Sequence, residues 1–182
     1  MKISTIQHII DQMDDRMQKH ANNVACMCYA MGQTINCSPK ELENIWFAGM
    51  LLDSGKLVME NKIKLDNISS EDDYIVYSEK LASQFEGFED VATILSQSHE
   101  NVDGTGEPNH IKGEAIDTLA KVVRISDYYD NFRLDGKTHE ESCREIRKLA
   151  DQVFPKKIIT PFIKCIVKNE LHKEYNKEEE DD

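Results

Sequence analysis

Asp53 and Lys56 close the stretch G-M-L-L-D-S-G-K at positions 49–56, where an apolar helix end runs into a carboxylate, a glycine and a lysine. A carboxylate at the C-terminal end of a helix opposes the helix dipole and is locally unfavourable. Two explanations fit: a solvated surface aspartate, or a metal ligand whose cation offsets the cost. The second accounts better for the placement. His20, Glu79, His99 and Asp127 are the other imidazole and carboxylate groups that could converge on Asp53 from flanking segments. His20 falls on the edge of an apolar helical stripe, where a lone His is ordinarily a hydrogen-bonded core side chain rather than a ligand. Asp127 and Asp130 are spaced i and i+3, so they share one face of a helix.

The elements that must position these groups are all helical. Ile6, Ile10, Met13, Met17, Ala21, Val24, Cys28 and Met31 recur at steps of three and four, which predicts one long first helix with Gly32 as its stop. Ser38, Pro39 and Glu41 form an N-cap, a first-position proline and a capping box, and Leu42, Ile45, Trp46 and Gly49 follow as the inner face of a helix running to about Leu52. Lys56 to Ile68 has no helical period and reads as an irregular connection. Ser69-Ser70-Glu71-Asp72 is a cap followed by acids, opening a helix that carries Tyr74, Ile75, Leu81 and Phe85, with Glu79 near its inner side and Gly87 as its break. Val91, Ile94 and Leu95 mark a short helix ending near His99. E-N-V-D-G-T-G-E-P at 100–108 has two glycines and a proline and predicts a tight loop. No strand precedes it, so it is not a dinucleotide fingerprint. Further helices are expected from Ile116 to about Arg133, from a Thr138–Glu141 capping box through Val153 to Phe154-Pro155, and from Ile158 to about Leu171. The resulting fold class is all-α: a single-domain bundle of about seven or eight helices spanning 1–172, with an acidic, disordered tail at 173–182.

Composition narrows the function classes. The chain has 182 residues, 40% of them hydrophobic, enough to bury a core. A formal net charge of -12 argues against a nucleic-acid polymer or an anionic membrane surface as partner, because both would be repelled. No apolar run reaches the roughly 18 residues of a membrane helix, and no signal peptide opens the chain. The 5 cysteines are odd in number and scattered, as expected of reduced thiols in the cytoplasm. Cys26-x-Cys28 points its thiols to different helix faces and lacks the accompanying pair a zinc site needs.

Four blocks together resemble a known family. H-A-N-N-V-A at 20–25, L-L-D-S-G-K at 51–56, S-H-E-N-V-D-G-T-G-E-P at 98–108 and R-I-S-D-Y-Y-D at 124–130 are similar to the HD-GYP branch of the HD superfamily, in the same order. The resemblance implies an HD-domain-like helical phosphohydrolase whose usual substrate is cyclic di-GMP. It further implies two or three metals, usually iron or manganese, held by His and carboxylate groups and activating a bridging water. Carried over by position, His20, Asp53, Glu79, His99 and Asp127 are the metal ligands, Asp53 and Lys56 the catalytic pair. Asp103, Gly104, Gly106, Glu107 and Pro108 form a loop for ligand or for a partner such as a diguanylate cyclase domain.

The match departs from the family at chosen places. Leu52 stands where the family has the His of its H-D pair, Glu79 replaces a further His, Ser98 replaces the first of two His, and Glu107 replaces the tyrosine of G-Y-P. The cationic stretch after Asp130 is shortened, leaving Arg133 and Lys137. Losing even an outer-sphere partner of a metal commonly costs roughly 10–100-fold in affinity or activity, so losing direct ligands should cost more. The first reading is therefore a degenerate domain of cyclic-dinucleotide signalling, catalytically impaired, binding a ligand or partner, with one divalent metal (Mn, Fe or Mg) or none. The alternative is a metal-dependent cyclic di-GMP phosphodiesterase with a rearranged site. A helical scaffold without ligand is the third.

Overall fold

The structure, a computed structural model, describes residues 2–66, 69 and 73–175. Among these residues it has nine α-helices and no strand: α1 (Lys2–Asp11), α2 (Asp15–Thr34), α3 (Pro39–Leu51), α4 (Gly55–Met59), α5 (Tyr74–Ala82), α6 (Glu89–Gln97), α7 (Thr118–Leu134), α8 (His139–Lys148) and α9 (Lys156–Lys168). Short 3-10 turns at Gly113–Ala115 and Leu171–Tyr175 complete it. The all-α expectation holds. Two of the nine helices come from features that apolar periodicity does not report.

The first is a break in the expected long helix. Asp14 adopts an extended conformation and its side chain accepts from the Met17 amide at 2.8 Å, so it is the N-cap of α2 and ends α1 before it. Ile10, Met13 and Met17 keep helical spacing across the break, which hides it. Gly32 does not stop α2 either. A Cβ there would lie 2.8 Å from Leu42 Cδ2, so glycine serves the close approach of α3. The second feature is α4, five residues long and too short to show a period; its Leu57 and Val58 are buried.

Caps written in local sequence form as expected. Ser38 with Glu41 and Thr138 with Glu141 make complete capping boxes, and Pro39 occupies the first turn of α3. The N-cap of α5 is Asp73, accepting from the Ile75 amide, rather than the Ser69–Asp72 group, of which 70–72 lie outside the described residues. That helix ends at Ala82, so Phe85 sits in the following turn. α8 ends at Lys148, and Ala150 and Val153 belong to the turn before α9. Of the expected tail, 176–182 lie outside the described residues, whereas Lys173 to Tyr175 belong to the last 3-10 turn. Tyr175 there is half-buried because its ring packs against the core while its hydroxyl meets a buried carboxylate.

α2 is the axis of the bundle. It packs on α3, α7 and α9, while α3 also meets α6 and α7, and α5 lies against α4 and α6. Val24, Ala25, Cys28, Leu51, Ile125, Tyr129 and Phe162 are fully or almost fully buried between them. The α3–α4 turn is pinned to α5: the Gly55 amide donates to Ser78 Oγ at 2.8 Å, and Ser78 Oγ donates to the Leu52 carbonyl at 2.8 Å. A Cβ on Gly55 would lie 1.9 Å from the Tyr74 carbonyl oxygen and 2.7 Å from the Ser78 amide nitrogen, both backbone atoms that cannot swing away. Gly55→Ala should therefore lower unfolding free energy by about 3 kcal/mol, read as a shifted denaturant midpoint at constant slope; an unchanged midpoint contradicts this packing.

Candidate functional site

The site groups arrive on several elements. α2 carries His20 and Asn23, the α3–α4 turn carries Asp53, and α4 carries Lys56. α5 brings Tyr74, the turn after α6 brings His99, and α7 brings Arg124, Asp127 and Asp130. α7 supplies three charges to one region because positions 124, 127 and 130 fall at steps of three.

His20 sits at the meeting point and is buried. Its Nδ1 lies 2.6 Å from Asp130 Oδ2, and its Nε2 lies 3.2 Å from Asp127 Oδ1 and 3.7 Å from Asp53 Oδ2. Burial works against the imidazolium, but hydrogen bonds to Asp127 and Asp130 outweigh it and raise the pKa of His20 to about 10. Asp127 is shifted down: burial opposes this, and the His20 hydrogen bond and charge prevail. Asp130 is fully buried and accepts also from Asn23 Nδ2 at 2.8 Å and from the Tyr175 hydroxyl. It anchors one ring nitrogen of His20 so that the other faces Asp127 and Asp53.

Two further cations belong to the cluster. Lys56 Nζ lies 2.7 Å from Asp53 Oδ2 and 4.8 Å above the Tyr74 ring. Arg124 Nη1 lies 4.0 Å from Asp127 Oδ2, its guanidinium stacks 4.7 Å from the Tyr128 ring centre, and its Nη2 donates to Asn101 Oδ1 at 3.3 Å.

His99 is held differently. The Ser98 hydroxyl donates to the Leu95 carbonyl, so the 3.1 Å contact between Ser98 Oγ and His99 Nδ1 places the proton on Nδ1. His99 Nε2 then accepts from the Tyr74 hydroxyl at 3.1 Å. Burial, with Arg124 adding, lowers the pKa of His99 to about 4, so it is neutral. Burial and the charges of Asp53 and Asp127 push the Tyr74 phenol up, so it stays a donor.

Of the expected site residues, His20, Asp53, Lys56 and Asp127 come together, and His99 stands beside them through Tyr74. Glu79 does not join them. Tyr74 and Ser78, at i and i+4, share the face of α5 that meets Asp53 and His99, and Glu79 is turned one residue off it; among the described residues no hydrogen bond or ion pair links its carboxylate to the cluster. Tyr74, Arg124, Asp130 and Tyr175 are members that sequence reasoning did not assign a role. Only the i, i+3 spacing of Asp127 and Asp130 signalled one of them.

The 100–108 loop is built around Glu100, whose buried carboxylate accepts from the Asn109 and Ile111 amides at 2.7 and 3.0 Å. Asp103 accepts from the Thr105 amide and hydroxyl, Gly104 has φ +86°, and a Cβ on Gly106 would lie 2.2 Å from the Asn101 amide nitrogen. Glu107 is exposed and its peptide bond to Pro108 is cis. Asp103 leans on the α8–α9 turn, its amide donating to the Gln152 carbonyl. The loop thus borders the site through Asn101, next to His99, while Thr105, Glu107 and Pro108 are exposed.

The sequence pattern of the HD domain family matches residues 4–157. The chain belongs to the HD domain family. Curated relatives include the 3'3'-cGAMP-specific phosphodiesterase 3 of Vibrio cholerae, 25% identical over 137 residues that make up 70% of this chain and 29% of that protein. They also include the cyclic di-GMP phosphodiesterase PdeB of Borreliella burgdorferi, 25% identical over 178 residues, 91% of this chain and 44% of that one. Solved structures agree on the fold. A cyclic GMP-AMP specific phosphodiesterase of V. cholerae superposes with TM-score 0.74 at 16% identity, over 93% of this chain and 49% of that one. An HDG"Y"P protein from Bdellovibrio bacteriovorus superposes with TM-score 0.63 at 20% identity, over 87% and 53%. The four sequence blocks resemble those of the HD-GYP branch, and the chain spans well under two thirds of the length of these relatives.

The donor set of this HD domain does not fit the two-metal centre that the branch resemblance implies. Leu52 is a buried apolar wall where an imidazole would stand. Ser98 turns its hydroxyl to backbone, the Tyr74 hydroxyl takes His99 Nε2, and the Lys56 ammonium takes Asp53. Removing the anchor of His20 should be costly, because it strands a buried charge. Asp130→Asn is expected to lower stability by about 3 kcal/mol, and Tyr175→Phe by about 1 kcal/mol. Chemical denaturation checks both, and an Asp130→Asn protein as stable as the parent would contradict the arrangement.

Proposed function

We propose that this HD domain binds a cyclic dinucleotide, of the cyclic di-GMP or 3'3'-cGAMP class, and does not hydrolyse it. One observation carries the reading: where the resemblance implies imidazole ligands, Leu52 is a buried apolar side chain and Ser98 bonds to backbone, while Lys56 lies beside Asp53 and Arg124 beside Asp127. Phosphate recognition by lysine and arginine needs no metal, since both donate charge-assisted hydrogen bonds to phosphate oxygens. A cavity of about 230 Å³ lined by Asp14, Arg16, His20, Asp53, Lys56 and Asn131 opens beside Lys56. It would take a phosphate and its ribose, with the rest of the ligand lying across the rim. The relatives' named activities, on cyclic di-GMP and 3'3'-cGAMP, support the ligand class.

The 103–108 loop, exposed at Thr105, Glu107 and Pro108, is in this reading the surface offered to a signalling partner such as a diguanylate cyclase domain. The cytoplasm is the compartment that suits its free cysteines. The second reading, a metal-dependent phosphodiesterase, is favoured by one observation: His20 Nε2 still has Asp127 and Asp53 within 3.2 and 3.7 Å.

Calorimetry with cyclic di-GMP and with 3'3'-cGAMP, on chelator-treated protein and again with manganese or iron, separates the readings. Saturable binding of one ligand in chelator, with no linear product, is expected, and Lys56→Ala should weaken it about 10-fold, the equivalent of one charge-assisted hydrogen bond. Metal-dependent release of linear dinucleotide, lost in Asp53→Ala, would establish the enzyme instead. No binding under any condition would refute the proposal.

A further inference from the structure

A second cavity lies where the α2–α3 turn, α3, α6 and the start of α7 meet. Its volume is about 540 Å³, and it shares no lining residue with the cavity at His20. Three carboxylates line it from three elements: Glu41 on α3, Asp90 on α6 and Asp117 at the N-cap of α7. Among the described residues that line it, none is a lysine, arginine or histidine. Ile35, Ile94 and Leu119 supply apolar wall alongside these charges.

Each carboxylate is held through one oxygen. Asp90 Oδ2 accepts from Asn44 Nδ2 at 3.0 Å, Glu41 Oε2 from the Ser38 amide at 2.7 Å, and Asp117 Oδ1 from the Leu119 amide at 2.6 Å. Asn44, also in the lining, is only 3% exposed, and its amide oxygen is buried without a hydrogen-bond partner. Flipping the amide would not relieve this, because it would set that oxygen against the Asp90 carboxylate. A buried acceptor left unpaired costs free energy, which a donor arriving in the cavity would recover. The local potential is negative: burial and then the charges of Glu41 and Asp117 raise the pKa of the Cys37 thiol, which lines the same hollow. A hollow of small-ligand size with this lining suits a ligand that carries only donors and positive charge, at separate points joined by an apolar stem. A single metal ion would leave the isoleucine and leucine walls without a counterpart.

We propose that this cavity is a binding site for an aliphatic polyamine, separate from the site at His20. Its ammonium groups donate to Asp90, Glu41 and Asp117 and to the Asn44 amide oxygen, and its methylenes lie on Ile94 and Leu119. Nothing in this assignment depends on what the His20 site binds.

The test is calorimetry on the full chain at constant ionic strength, with spermidine, with n-butylamine and with calcium. Saturable binding of spermidine is expected, about 10-fold or more tighter than that of n-butylamine, which has one ammonium group. Asp90→Asn, at an exposed position and still able to accept from Asn44, should weaken it about 10-fold. Asn44→Leu, which removes the unpaired oxygen, should weaken it as well. Glu140→Gln on α8 makes the same change in net charge as Asp90→Asn but lies outside the cavity, and it should leave the affinity unchanged. Failure to saturate with spermidine, equal affinity for n-butylamine, tighter binding of calcium in competition with spermidine, an unaltered affinity in Asp90→Asn, or an equal loss in Glu140→Gln would each overturn the proposal.

Discussion

His20 is held between Asp130 on one ring nitrogen and Asp127 and Asp53 on the other, and three separate elements meet at that imidazole. α2 brings the ring, the α3–α4 turn brings Asp53, and α7 brings the two remaining carboxylates. The C-terminal turn is tied in through Tyr175 and Asp130. A buried charge left without a partner costs several kcal/mol, so the relative placement of α2, α7 and the α3–α4 turn is constrained by electrostatics as well as by apolar packing. Asp130, fully buried, is the member on which the others depend, because it fixes which way the ring faces.

The same constraint decides what chemistry the site supports. A metal ligand must present a neutral imidazole, and the carboxylates of Asp127 and Asp130 favour the protonated form of His20. His99 is neutral, yet its free ring nitrogen is occupied by Tyr74. Lys56 and Arg124 supply positive charge beside Asp53 and Asp127. Leu52 and Ser98 remove the donors that would pull a cation into their place. Leu52 and Ser98 each stand where the resemblance implies an imidazole, and the HD fold is kept.

Legibility in the sequence followed the range of the interaction. The capping boxes at Ser38 and Thr138 formed where expected because all their partners lie within three residues. The break at Asp14 was hidden, since Ile10, Met13 and Met17 continue the helical period across it, and the cap is visible only once the backbone turns. α4 was invisible because five residues do not define a face. The start of α5 at Asp73 sets which residues look inward, and this is why Tyr74 meets His99 while Glu79 does not. His20, Asp53, Lys56 and Asp127 were readable through ordered motif spacing. Tyr175 was not, because its bond to Asp130 spans 45 residues and leaves no local pattern.

The central claim is that His20 is an ion-paired imidazolium and that the chain's own cations occupy the place of metals. Nitrogen-15 NMR of the His20 ring, recorded at neutral pH with and without stoichiometric zinc as a diamagnetic probe, tests it most directly. The account predicts both ring nitrogens protonated in each sample. Loss of the Nε2 proton on adding zinc, with the shift of a metal-bound nitrogen, would contradict it.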